Sequence, residues 1–234
     1  NVEGNIIDAA GLHLFPGVID DQVHFREPGL TDRGNIKSES LAAIAGGTTT
    51  FMDMPNVLPP TLTNELWRKK IEIASKNASA NYSFYMGSSN ENIEEIKAIN
   101  PFEVCGVKVF MGSSTGNLLV DNEESLNLIF RDSPVLIATH CEDTPMIKKL
   151  EETYKAKYGE DIPVEYHADI RSREACLKSS KKAVDLANKH NQDLHILHIS
   201  TADELALFSN LPIEEKLITA EVCIPHLYFN SDDY

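Results

Sequence analysis

Pro16-Gly17-Val18-Ile19-Asp20-Asp21-Gln22-Val23-His24-Phe25-Arg26-Glu27-Pro28-Gly29 decides how this chain is read, because an apolar run stops abruptly at a histidine, an arginine and a Pro-Gly turn. In a strand, side chains two apart share a face, so Asp20, Gln22 and His24 point one way and Asp21 and Val23 the other. One face of this strand therefore ends in three possible ligands. Outward from it, strand-like runs alternate with helical patterns along the whole chain. The strands are expected at 14–23, 48–54, 81–86, 106–110, 135–139, 194–199 and 217–222. A helix over 36–45 should stop at Gly46-Gly47. Asp121 with Glu124 offers a cap for another helix, and Thr144-Pro145 suits a cap and first turn.

Such alternation specifies a parallel α/β architecture. The histidines fall at strand ends around the series, as the mouth of a (β/α)8 TIM-type barrel requires. An open doubly wound sheet is the alternative. Seven strand units are present where a closed barrel has eight in typically about 250 residues. The fold expected is therefore a barrel truncated before its eighth strand, occupying 14–234. Residues 1–13 read as the end of a small N-terminal β domain.

Composition sets the outer bounds. A chain of 234 residues with 42% hydrophobic content buries a sizeable core. Its 21 basic against 36 acidic residues give a net charge of -15, which repels nucleic acid and anionic membranes. No apolar run reaches the roughly 18 residues that span a bilayer, and the first residues lack a signal-like core, so a soluble, cytoplasmic protein is expected. Cys105, Cys141, Cys176 and Cys223 have no Cys-x-x-Cys spacing, which argues against a disulfide framework or a zinc knuckle.

Four further segments carry chemistry. In Gly106-Val107-Lys108-Val109-Phe110-Met111-Gly112-Ser113-Ser114-Thr115-Gly116, a lysine sits inside an apolar strand, where a free ammonium is costly to bury unless it snorkels to water. His140 follows Val135-Leu136-Ile137-Ala138-Thr139, and His198 lies in Leu194-His195-Ile196-Leu197-His198-Ile199-Ser200. Both sit at the C-terminal side of a buried strand, where imidazole serves as a metal donor or as a structural group. His195, three residues from His198, is expected on the opposite face, against a helix. The third segment is Phe51-Met52-Asp53-Met54-Pro55-Asn56, and the fourth is Ala220-Glu221-Val222-Cys223-Ile224-Pro225-His226-Leu227.

Together these segments, spread from Pro16 to His226, resemble the dihydroorotases of the amidohydrolase superfamily. The resemblance implies a first strand that binds metal through His-x-His, here Gln22 and His24, followed by an Arg-Glu-Pro-Gly turn that shapes the substrate pocket. It makes Lys108 the lysine carboxylated by carbon dioxide to bridge two divalent metals, and His140 and His198 the fifth-strand and sixth-strand ligands. Arg26 becomes the clamp for a substrate carboxylate, a task suited to a planar guanidinium, with a surface salt bridge as the plainer reading. Asn56 contacts the substrate. His226 either lines the site or is structural.

The activity implied is reversible hydrolysis of dihydroorotate to N-carbamoyl-aspartate in pyrimidine synthesis, with one or two divalent ions, most simply zinc. The proton-shuttling aspartate of the family belongs to the eighth strand, so no residue of this chain fills that role. Gln22 departs from the pattern, because a neutral amide oxygen is a poor zinc ligand beside imidazole. One metal position keeps only His24 and Lys108, whereas the other keeps Lys108, His140 and His198. Two readings of function follow. One is an active dihydroorotase, with hydantoinase, dihydropyrimidinase and allantoinase as relatives sharing the metal chemistry. The other is a non-catalytic scaffold for a partner such as aspartate transcarbamoylase. Retention of Arg26, Asn56 and Lys108 favours the enzyme. A small-molecule substrate is implied, with a homo-oligomer or a transcarbamoylase complex as the possible assembly.

Overall fold

The computed structural model describes residues 4–5, 7–112 and 117–233. Every described strand pairing is parallel. The strands are β1 (Val18–Val23), β2 (Thr48–Asp53), β3 (Asn81–Phe84), β4 (Met86–Gly87), β5 (Val107–Phe110), β6 (Ile137–His140), β7 (Leu194–Ile196) and β8 (Ile218–Ala220). They pair in chain order, β1-β2-β3 and β4-β5-β6-β7-β8. β3 and β4 are two halves of one segment divided at Tyr85, whose N–H donates to Asp53 O at 3.1 Å while the Met86 N–H turns to Gly106 O at 3.0 Å. The seven expected strand positions are thus all occupied. Their order never reverses, which rules out the doubly wound alternative and leaves an arc of a TIM-type barrel.

Helices α1 (Ile36–Ala45), α2 (Asn64–Asn77), α3 (Ile93–Lys97), α4 (Glu123–Asp132), α5 (Thr144–Tyr158), α6 (His167–Ile170), α7 (Arg173–His190) and α8 (Ile224–Tyr228) fall between or after the strands. α1 ends where expected, with Gly47 at φ +91°, a conformation glycine adopts without a Cβ penalty. The caps of α4 and α5 differ by one residue from those expected. Asn122, not Asp121, accepts the Ser125 N–H, and Asp143, not Thr144, accepts the Met146 N–H. In each case the residue immediately before the helix sits in the extended conformation that aims its side chain at the first turn.

β1 starts at Val18, later than the sequence suggested, because its partner β2 starts at Thr48 and the two meet at Val18↔Thr48. Leu14 and Phe15 have no strand to pair with and lie exposed. Of residues 1–13, the described ones form no strand. The end of the Gly106–Gly116 segment, 113–116, lies outside the described residues.

Period-2 alternation sorts the strands onto two faces. Phe51, Phe84, Val107, Val109, Ile137, Leu194 and Ile196 pack outward against Trp67, Ala74, Phe130, Ala183 and Ala187 of the helices. Each fully buried large side chain there contributes about 1.5–3 kcal/mol. Trp67 also donates its indole N–H to Phe84 O at 2.9 Å. The inward face carries a smaller cluster of Met54, Tyr85, Ala138 and Leu197, and alternation puts Lys108, His140 and His195 on that same face.

Candidate active site

The first side of the site is the β1–β2 end. Asp53, at the end of β2, accepts the Phe25 N–H at 2.8 Å and pairs with Lys70 of α2 at 2.7 Å, both side chains being fully buried. The Lys70 ammonium also donates to Met54 O at 2.7 Å. This one pair therefore fixes the backbone beside His24 and the backbone that leads to Asn56. Burial of a lone carboxylate or ammonium is prohibitive, whereas the hydrogen-bonded pair is tolerated.

The turn after β1 docks on the loop after β2. The Leu58 N–H donates to Pro28 O at 3.0 Å, and Gly29, at φ +84°, approaches Leu58 too closely to leave room for a Cβ. Glu27 reaches sideways and accepts the Ile36 N–H at 2.8 Å, where a carboxylate complements the exposed amides at the start of α1. The Arg-Glu-Pro-Gly and Met-Pro-Asn motifs are thus two faces of a single joint. In it, His24 Nδ1 lies 2.8 Å from Asn56 Oδ1, and the Arg26 guanidinium reaches Asn56 O at 3.5 Å. Arg26 itself is held at φ +64°. Burial, reinforced by Arg26 and Lys108, pushes His24 down to about 4, so its imidazole is neutral.

The second side is built by β6 and the exit from β7. His140 Nδ1 and His198 Nε2 face each other at 3.1 Å, with rings edge-to-face. His140 Nε2 lies 2.8 Å from a carboxylate oxygen of Glu142, which in turn accepts from Arg171 at 2.6 and 2.8 Å. His198 sits at φ +42°, with its N–H donating to Glu221 at 3.2 Å. Burial, with Lys108 and His140 adding to it, pushes His198 down to about 3. A cavity of about 330 Å³ opens over this pair, lined also by Glu142, Cys176, Cys223 and His226. His226, on α8, is exposed there.

Lys108 lies between the two sides. It is buried at 1% exposure on β5, no ion pair involving it is found among the described residues, and its ammonium stands 4.6 Å from the centre of the Phe110 ring. Burial pushes it down to about 7. It does not snorkel. The ammonium is close enough to disfavour protonation of both His24 and His198.

The Gln22 amide oxygen lies 4.0 Å from the Sγ of Cys223, which lines the cavity over His140 and His198. The expectation for His195 is overturned: it faces the barrel interior, with Nε2 3.5 Å from Asp21 and 3.7 Å from Glu221. The strand ends at Ile196 and the left-handed turn at His198 resets the alternation, so residues three apart end up facing the same way. Glu142 and Arg171 were missed in the sequence. The spacing His140-x-Glu142 at a strand end was the available signal for the first; Arg171 had none.

The donor set fits a divalent ion. Two imidazole nitrogens face each other at 3.1 Å, His198 is held neutral, and the far nitrogen of His140 is oriented by a carboxylate, as in metal-bound histidines generally. Barrel strand ends that gather such donors are suited to holding a metal ion.

By sequence and by fold, the chain is similar to cyclic amidases. Within that class it is similar to a dihydroorotase of Methanosarcina mazei, at 32% identity over 98% of this chain and 51% of the relative. It is also similar to an allantoinase of Deinococcus radiodurans, at 30% identity over 97% of this chain and 51% of that protein. An L-hydantoinase (dihydropyrimidinase) from Arthrobacter aurescens superposes with a TM-score of 0.89 at 26% identity, covering 97% of this chain and 51% of that one. The chain spans about half the length of the relatives it matches. No family model matches it. Among the described residues, no helix is long and apolar enough to cross a membrane.

Proposed function

We propose that this chain carries most of the active site of a dihydroorotase, a hydrolase that opens the cyclic amide of dihydroorotate to N-carbamoyl-aspartate and closes it again. The observation that carries the reading is the joint of Arg26, Asn56 and His24 set across a buried Lys108 from the facing pair His140 and His198. Lys108, His140 and His198 would hold one divalent ion, most simply zinc, and His24 with Lys108 a second, to which Gln22 adds at best a weak amide oxygen. When bound, such an ion supplies Lewis acidity, activating water near neutral pH and stabilising charge at an amide carbonyl.

The remaining work falls to the chain's own groups. Lys108 is buried without an ion-pair partner among the described residues, and as a neutral amine it can add to carbon dioxide, forming an N–C bond and releasing a proton to leave an anionic carbamate. Arg26 would bind the substrate carboxylate through two parallel N–H donors, and Asn56 would orient the ring beside it. His226, over the cavity, would line the substrate's far side. This arrangement contributes by position, holding the amide where the reaction occurs. The proton for the departing nitrogen is assigned to no residue of this chain.

A carboxylate clamp favours dihydroorotate over the uncharged rings of hydantoins. The test is to compare kcat/KM of the full-length protein for dihydroorotate, allantoin and dihydrouracil, alongside its zinc content. Preference for an uncharged ring overturns the assignment within the class. The second reading, a non-catalytic scaffold for aspartate transcarbamoylase, rests on Gln22 in the place of a ligand. A metal-replete protein without activity on any of the three rings would establish it. A homo-oligomer, a cytoplasmic location and the assignment of 1–13 to a small β domain belong to the same proposal.

A further inference from the structure

Beside the exit from β7 lies a second group of donors. His195 of β7 directs Nε2 between the carboxylates of Asp21 on β1 and Glu221 just after β8, and one ligand atom from each lies within 4.8 Å of the others. We infer that Asp21, His195 and Glu221 form a separate binding site for a divalent first-row transition ion, exemplified by zinc, that ties β1 to β7 and β8. This goes beyond the proposed amidase reading and uses none of its ligands.

The placement of His195 carries the argument. Its Nδ1 lies 2.7 Å from Thr219 Oγ1, a contact that fixes the orientation of the ring. With that edge of the ring held, the other nitrogen, Nε2, is aimed at two carboxylates. Nε2 is buried and has no hydrogen-bond partner. A buried, unpartnered ring nitrogen facing two carboxylates creates a need for a cation between them.

A proton would meet that need by drawing N and O together to about 2.7–2.9 Å, the length of a charge-assisted hydrogen bond. The separations here are 3.5 and 3.7 Å, too long for such a bond. They come closer to the ligand-to-ligand edges of a tetrahedral zinc site, about 3.3–3.4 Å for bonds of about 2.0–2.1 Å. The second layer is also in place: Thr219 fixes the imidazole, and the His198 N–H occupies one oxygen of Glu221 and leaves the other for the ion. One imidazole and two carboxylates neutralise a divalent charge, and the nitrogen donor selects against magnesium and calcium.

The experiment uses the full-length protein, stripped with a chelator and reloaded with zinc alone. Anomalous diffraction across the zinc edge is expected to show a peak bonded to His195 Nε2, Asp21 and Glu221, distinct from any peak at His140 and His198. The double variant Asp21→Asn, Glu221→Gln is expected to bind about one zinc equivalent fewer and to lose part of the zinc-induced rise in melting temperature. Absence of the peak in the wild-type protein overturns the inference, whether or not the double variant folds. Zinc at His140 and His198 with none at His195 would overturn this site while leaving the amidase reading standing, and the reverse result would do the opposite.

Discussion

The two sides of the candidate site are built on different principles. At the β1–β2 end, His24, Arg26 and Asn56 are fixed from behind by a buried ion pair and by two loops that interlock at Gly29 and Leu58. At the β6–β7 end, His140 and His198 touch each other directly, with Glu142 and Arg171 behind them and a cavity in front. The first side is braced by interlocked backbone and, on the proposed reading, carries the charged clamp. The second is accessible and carries the better metal donors. Where the family pattern loses a ligand, at Gln22, it does so on the first side, so on the proposed reading recognition and metal binding would be separable duties.

Removing the residue that both sides share should have the largest effect. Lys108→Ala in the full-length protein is expected to lower kcat/KM for dihydroorotate by several kcal/mol of transition-state stabilisation, on the order of a thousandfold or more, together with most bound metal. Wild-type metal content in this variant would show that the lysine bridges nothing. Next, Lys70→Met strips the first side of its support by leaving Asp53 charged and unpaired in the core. Chemical denaturation should show a loss of about 3–5 kcal/mol. A loss below about 1 kcal/mol would mean that the pair is not what holds the joint.

Arg26→Met should cost about 2–5 kcal/mol in kcat/KM for dihydroorotate through a lost charged partner, with metal content unchanged and Arg26→Lys rescuing poorly. If metal falls along with activity, the two duties are not separable after all. The smallest effect is expected on the second side. Glu142→Gln should weaken metal affinity by about 10–100-fold, measured by competition with a chelator, while binding of a substrate-like carboxylate is retained.

Much of this was legible in the sequence, and the failures share a cause. Strand positions and the end of α1 at Gly46-Gly47 follow from period and turn chemistry, which are local, whereas the grouping of His140 with His198 follows from the family resemblance. Parity counting failed at His195 because alternation holds only inside a strand, and β7 stops at Ile196. The start of β1 was misplaced because apolar residues make a strand only where a neighbour pairs with them. Arg171 was invisible because it meets Glu142 across 29 positions of sequence. The interior role of Asp21 could not be foreseen for the same reason, since its partners lie on the other side of the arc.

Three described residues other than glycine hold a left-handed backbone: Asn191, which caps α7, and Arg26 and His198, which serve the site. For a side chain with a Cβ that conformation costs roughly 1–2 kcal/mol, a cost that glycine escapes. Selection for heat resistance alone should therefore pull positions 26 and 198 towards glycine, and each such gain would erase a functional group. In a library ranked by melting temperature and then by turnover, these two positions should stand out as those where the rankings disagree most.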